Sequence, residues 1–203
     1  MKEIDDSMWL MYGGIDMEIE KQSFKGDGYF LIRPVGRVKA TQKEPRLRPG
    51  LYDLEYQAET RSNSRDVESN RSSISEIIID KELEDLLEGI EEFSHILVLY
   101  WAHKIPENKR SLSKVHPMGR KDLPLVGIFA TCSPVRPNPI LVTAVRLLDR
   151  QGNILKVKGL DAIDETPVLD LKPYNPRFFK VEDLILSPWM DKIMNEENRS
   201  KGF

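Results

Sequence analysis

Apolar and polar positions alternate with a period of two over several short stretches of this chain, and follow a helical period over only two. In "ILKVKGL" (154–160), Leu155 and Val157 alternate with Lys156 and Lys158, as a half-exposed strand requires. "SEIIID" (75–80), "LVGIFAT" (125–131) and "ILVTAVRLL" (140–148) also read as strands, with "DRQGN" as a turn after the last. "SHILVLYWAH" (94–103) is almost continuously apolar, which predicts a strand buried on both faces. "YFLIRPVGRV" (29–38) has strand composition broken by Pro34, hence an edge strand or a bulge. Helical spacing appears where Leu83, Leu86, Leu87 and Ile90 follow Asp80, a residue placed to cap. It appears again where Ser187 and Pro188 form an N-cap and first-turn pair ahead of Trp189 and Ile193. Strands joined by short turns, with two helices and no βαβα alternation, predict a mostly β fold. The expected architecture is a small antiparallel β-barrel, closed or nearly so, with one or two helices packed outside; a doubly wound nucleotide fold is disfavoured.

Composition sharpens this picture. A chain of 203 residues with 40% hydrophobic content suits one well-buried domain with appendages. The reading is an N-terminal appendage over 1–27, whose Trp9, Leu10 and Met11 pack onto the body. A barrel domain over 28–178 follows, then a C-terminal extension over 179–203 with a short helix. Residues 60–74 have almost no apolar content and read as an exposed polar insertion. No window approaches the ~18 apolar residues of a membrane span, and the start lacks a leader pattern, so a cytoplasmic protein without membrane attachment is expected.

Charge and candidate chemistry add less. The net charge is −3, which argues against a generally basic nucleic-acid-binding surface. The stretch 103–121 nevertheless carries Lys104, Lys109, Arg110, Lys114, Arg120 and Lys121 against the single acid Glu107, a solvated loop or a phosphate contact. Cys132 is the only cysteine, and the histidines at 95, 103 and 116 match no compact metal spacing, so no metal site is expected. With no histidine in its local sequence, Cys132 reads as an inert buried thiol, and His95 as a hydrogen-bonded structural residue. His103 is the better site candidate. Motifs for dinucleotides, P-loops, serine hydrolases and zincins are all absent from the sequence.

Two proline-punctuated segments stand out. "SPVRPNPI" (133–140) fixes φ at Pro134, Pro137 and Pro139 and gives a stiff display of Ser133, Arg136 and Asn138. "GLDAIDETPVLDLKPYNP" (159–176) gathers Asp161, Asp164, Glu165, Asp170, Lys172 and Tyr174. Residues two apart share a strand face, so Asp170 and Lys172 can pair.

In the order "FSHILVLYWAHK", "SPVRPNPI", "GLDAIDETPVLDLKPYNP", these motifs resemble the TsaA-like, or TrmO-like, family of tRNA methyltransferases over roughly residues 29–177. The resemblance implies a non-Rossmann β-barrel that binds S-adenosylmethionine and works as a homodimer. The implied activity is methylation of N6 of threonylcarbamoyladenosine beside the anticodon of threonine tRNA, with tRNA as partner. It assigns the cofactor to Pro49, Gly50, Leu51, His103, Lys104, the position of Cys132, Val142, Asp164, Glu165, Thr166 and Pro167. The chemistry needs a proton acceptor, for which Asp164 or Asp170 is expected, with Lys172 and Tyr174 steering charge and Arg136 and Asn138 holding substrate. In this picture the basic 103–121 loop meets the anticodon arm. Two positions depart from the family pattern, Cys132 for an arginine and Leu141 for a glycine. They leave room for a non-catalytic nucleoside-binding barrel, or for a methyltransferase of another small substrate.

Overall fold

The chain divides after Arg33, and every element below belongs to residues 34–203. The computed structural model describes residues 31–50, 53–56 and 72–200. The expected appendage 1–27, Leu51 and residues 60–71 of the polar insertion lie outside them.

Ten strands are present among the described residues: β1 (Gly36–Lys39), β2 (Leu47–Pro49), β3 (Leu54–Tyr56), β4 (Ile74–Ile79), β5 (His95–Trp101), β6 (Lys114–Val115), β7 (Val126–Gly127), β8 (Ile140–Gln151), β9 (Ile154–Lys158) and β10 (Pro167–Pro173). Six of them close an antiparallel barrel in the order β1-β10-β5-β8-β9-β4. Alternation drives closure, because a small barrel takes every second side chain into its interior. Val38, Ile77, Ile96, Val98, Leu155, Val157 and Val168 are fully buried there. Lys156 and Lys158 point outward from β9, as their spacing predicts. Gly36 allows β1 and β4 to close up: a Cβ at that position would lie 2.3 Å from the Ile78 carbonyl oxygen.

Strand β5 corrects one expectation. Its burial alternates, with Ile96, Val98 and Tyr100 inside and Leu97, Leu99 and Trp101 only half-buried, because the outer face of a barrel wall is covered in part at most. The stretch after Asp80 corrects another. Instead of one α-helix, two 3-10 turns span Lys81–Leu87 and Ile90–Glu92, separated by Gly89 at φ +81°. The Asp80 side chain makes no cap bond, Leu86 is exposed, and Leu83, Leu87 and Ile90 pack on the barrel core. The left-handed glycine breaks the run before an α-helix can repay its nucleation cost.

The run 125–131 is a strand only at Val126–Gly127, which pairs with β6, and then turns through Ile128–Ala130. Ile128 joins a second small core with Leu54, Ile105, Val115 and Val135, while Phe129 faces solvent. The C-terminal helix, Pro188–Ser200, starts on the Ser187 carbonyl, which accepts from Met190 N at 2.9 Å and Asp191 N at 3.1 Å. Ile193 is buried, and ion pairs Arg120–Glu196 (2.6 Å) and Lys192–Asp122 (2.8 Å) bind the helix to the 117–123 segment. Among the described residues no helix is long and apolar enough to cross a membrane.

Candidate functional site

Strand β5 runs out at Trp101 beside the start of β10, so residues 102–104 and the turn 163–167 share one mouth of the barrel. The turn is pinned there by backbone bonds: Asp164 N to Gln42 O at 2.7 Å, Glu165 N to Val38 O at 2.8 Å, and Val38 N to Thr166 O at 2.9 Å. Asp164 Oδ1 also accepts from Ala40 N at 3.0 Å, and Glu165 holds φ at +60°. Lys104 Nζ donates to the Lys43 carbonyl and to Glu44 Oε1, both at 2.6 Å. That ammonium keeps the Glu44 carboxyl below its ordinary range.

Among these groups lies His103, whose Nδ1 is buried without a hydrogen-bond partner. Burial, then the neighbouring Lys104, holds its imidazole below the usual value, against the pull of Glu165 and Glu44. The ring is therefore neutral near pH 7, and its buried Nδ1 is left without a hydrogen-bond partner. A buried polar atom with no partner costs stability and calls for an explanation.

Behind the mouth, the buried Tyr100 hydroxyl donates to the Asp161 carbonyl at 2.7 Å and shares a 2.9 Å bond with Thr143 Oγ1. Burial pushes this phenol up, and Asp161 and Cys132 are near enough to add to the effect. Asp161 is exposed to solvent on one side, while protein atoms crowd the other. That crowding pushes its carboxyl above the ordinary value, against the attraction of Arg46. Cys132 is exposed, correcting the expectation of a buried thiol. Its neighbours are loop residues whose apolar anchors, Val135 and Pro139, turn inward instead.

The proline segment is locked by its own arginine. Arg136 Nε donates to the Ser133 carbonyl at 2.8 Å, and Nη2 donates to that of Thr131. Thr131 Oγ1 donates to the Ile128 carbonyl at 2.8 Å and accepts from Ser133 N at 3.2 Å. Arg136 thus shapes the loop from within, while Asn138 is exposed and its carbonyl accepts from Ile140 N at 2.7 Å.

Other expected site residues lie elsewhere. Pro49 and Gly50 belong to the β2–β3 hairpin, where Gly50 N donates to the Asp53 carbonyl at 2.7 Å. The buried Asp53 carboxylate anchors the surrounding loops. It accepts from Leu54 N (2.8 Å), His116 N (2.9 Å), His116 Nδ1 (2.5 Å) and Lys121 Nζ. Val142 is 62% exposed on the outer wall opposite Leu99. Asp170 and Lys172 do pair, at 2.5 Å, but on that outer wall beside Leu99 and Leu97. Lys172, six residues past Thr166, is about 20 Å farther along the strand, and Tyr174 lies beyond it, bonded through its N–H to the His95 carbonyl. The mouth therefore gathers His103, Lys104, Asp164, Glu165, Thr166 and Pro167, and leaves Lys172 and Tyr174 out. His95 is exposed and bonded to Ser94 Oγ at 2.9 Å.

Glu44, Arg46, Tyr100 and Thr143 join the mouth without standing out in the sequence. Asp161 joins it too, singled out in the second proline segment but given no role there. The basic loop is neutralised at half of its six cations. Lys104, Arg120 and Lys121 are paired with acids, and Arg110 lies 5.3 Å from the Trp101 ring centroid and donates to the Ile105 carbonyl.

Comparison with known proteins places this arrangement. The model of the tRNA-methyltransferase O N-terminal domain matches residues 56–179. A probable S-adenosyl-L-methionine-binding protein of Pyrococcus abyssi is 34% identical over 169 residues, 83% of this chain and 80% of that protein. A similarly named protein of Methanothermobacter thermautotrophicus is 41% identical over 143 residues, 70% of this chain and 88% of that one. A crystal structure of TrmO from Pseudomonas aeruginosa superposes with a TM-score of 0.54 at 25% identity, covering 77% of this chain but only 60% of its own. Matched through both its barrel and its sequence, the chain belongs to the tRNA-methyltransferase O N-terminal domain family.

Proposed function

We propose that this chain binds S-adenosylmethionine at the barrel mouth and methylates N6 of threonylcarbamoyladenosine beside the anticodon of threonine tRNA, in the cytoplasm and as a homodimer. The observation that carries the reading is the partnerless, buried Nδ1 of His103 in a chain of this family. A nucleoside ligand offers the polar atom this nitrogen lacks. His103, the Lys104–Glu44 pair and the Asp164–Pro167 turn are the residues that would hold it. Relatives named for S-adenosylmethionine binding support the choice of ligand.

When bound, S-adenosylmethionine supplies a methyl group on a cationic sulfur for an in-line displacement. The chain's task is to align the acceptor and take its proton. N6 of the modified base belongs to a urea-like group and is a poor nucleophile until deprotonated. Asp164 already spends one oxygen on Ala40 N–H, and Asp170 is paired on the outer wall. Asp161, whose carbonyl meets the buried Tyr100 hydroxyl at the mouth, is the residue we assign to take the proton, and its protein surroundings hold its carboxyl above the ordinary value. Arg46 beside it supplies the cation that Cys132 does not.

The experiment incubates the full chain with S-adenosylmethionine and threonine tRNA carrying the modified base, and reads the nucleosides by mass spectrometry. Gain of one methyl group on that nucleoside is expected. Asp161→Asn should slow the reaction by roughly 10²–10⁴ with cofactor affinity retained. Methyl transfer to no tRNA nucleoside, with the cofactor bound normally, would assign the activity to another substrate. No heat of binding at millimolar cofactor would end the methyltransferase reading.

A further inference from the structure

The outer wall of the barrel carries a row of basic residues, two of them cations, at the end away from the mouth. His95, Arg146 and Lys158 lie directly across from one another on β5, β8 and β9, all three exposed. Like charges facing each other across strands destabilise a sheet. Most cations elsewhere in the fold avoid that cost through ion pairs, including Lys39 with Glu76 next to this wall. Among the described residues, neither Arg146 nor Lys158 has a carboxylate within ion-pair distance. Beside His95, Lys172 of β10 and Tyr174 just past its end lie on the same outward face, and the Tyr174 ring stacks on Phe179 with centroids 5.7 Å apart. Both rings are 39% exposed, so they present aromatic faces or edges to solvent beside the cations.

We infer that this stripe binds the sugar-phosphate backbone of RNA, with the aromatic pair meeting an unstacked base. Row geometry favours a polyanion of regular spacing over a single ion, and aromatic faces beside cations suit nucleic acid better than an acidic peptide. From His95 to Trp101 the strand runs about 20 Å, roughly six nucleotides at about 3.4 Å each. A hairpin arm whose backbone crosses this row can run along β5 and bring its loop to the mouth. The assignment rests on the tRNA reading above, but moves the phosphate contacts from the half-neutralised 103–121 loop to the wall.

The test measures binding of a labelled, unmodified hairpin with the anticodon-arm sequence, by fluorescence anisotropy across a potassium chloride series. For Arg146→Gln/Lys158→Gln, the slope of log affinity against log salt should fall by about 1.4 to 1.8, the share of two phosphate contacts. Lys109→Gln/Lys114→Gln, the control in the basic loop, should change it by less than half as much. An unchanged slope in the wall variant, the full loss in the loop variant instead, no binding by the wild type, or competition by polyglutamate as strong as by RNA overturns the inference. Titration of S-adenosylmethionine on the same proteins separates the two readings. Normal cofactor heat with an unaltered RNA slope removes the stripe alone, whereas a reduced slope without cofactor heat removes the methyltransferase reading alone.

Discussion

The barrel and the loop region around the second core, residues 102–135 with the β2–β3 hairpin, are held together by different physics. The barrel closes on alternating aliphatic side chains, Ile77, Ile96, Val98, Leu155 and Val157 among them. Its stability is spread over many equivalent contacts. The loop region packs only five buried apolar residues into a cluster of its own, and its shape depends on polar anchors. Asp53 ties three segments by four hydrogen bonds, and Arg136 clamps the proline segment by its carbonyls. A site built where the two meet has a rigid wall and an adjustable rim. That division suits a pocket that must admit a cofactor and a bulky nucleoside.

Substitutions should separate the two regions in order of size. Ile96→Ala empties the barrel interior and should cost about 4 kcal/mol, lowering the urea midpoint of the whole fold in one transition. Separate loss of one strand would show that the barrel is not the cooperative unit. Asp53→Asn should cost about 3 kcal/mol and raise hydrogen exchange at Val115 and Ile128 before Ile96 and Val98. Uniform exchange across both regions would erase the distinction. Burial pushes the Asp53 carboxyl up, but bonds from Lys121, His116 and Leu54 outweigh this and hold it well below the ordinary 3.8. Its stabilisation is thus full above that value and is lost as pH falls toward the folded one. Wild type and variant should therefore differ equally at pH 5 to 7 and converge in strong acid.

Arg136→Ala should cost about 1.5 kcal/mol, with the loss confined to exchange at residues 131–140. His103 gives the smallest effect. Its imidazole is depressed below 6.5, so the folded state resists a proton that the unfolded chain accepts. Its contribution is complete above that pH and declines as pH falls. His103→Gln should flatten the stability profile between pH 6.5 and 5 by under about 1.4 kcal/mol per pH unit.

The contrast also explains what could be read from the sequence. The barrel strands were legible because Leu155 and Val157 alternate with lysines, and because the proline segments marked their ends. Continuous apolar runs were not. Residues 94–103 and 125–131 look alike in composition, yet one is a barrel strand and the other mostly a turn, since only long-range pairing tells them apart. The leucines after Asp80 kept their spacing but lost the α-helix to Gly89. At the mouth, His103, Lys104 and the 164–167 turn followed from resemblance and converge in space. Asp161 and Arg46 could be joined to them only by the fold, because their pairing crosses more than a hundred residues of sequence.

Calorimetric titration of S-adenosylmethionine into the wild-type chain and into His103→Ala tests the mouth most directly. The expected result is a measurable affinity in the wild type and at least a tenfold weaker one in the variant, with the urea midpoint unchanged or raised. Equal affinities, or no heat from either protein at millimolar cofactor, would contradict it.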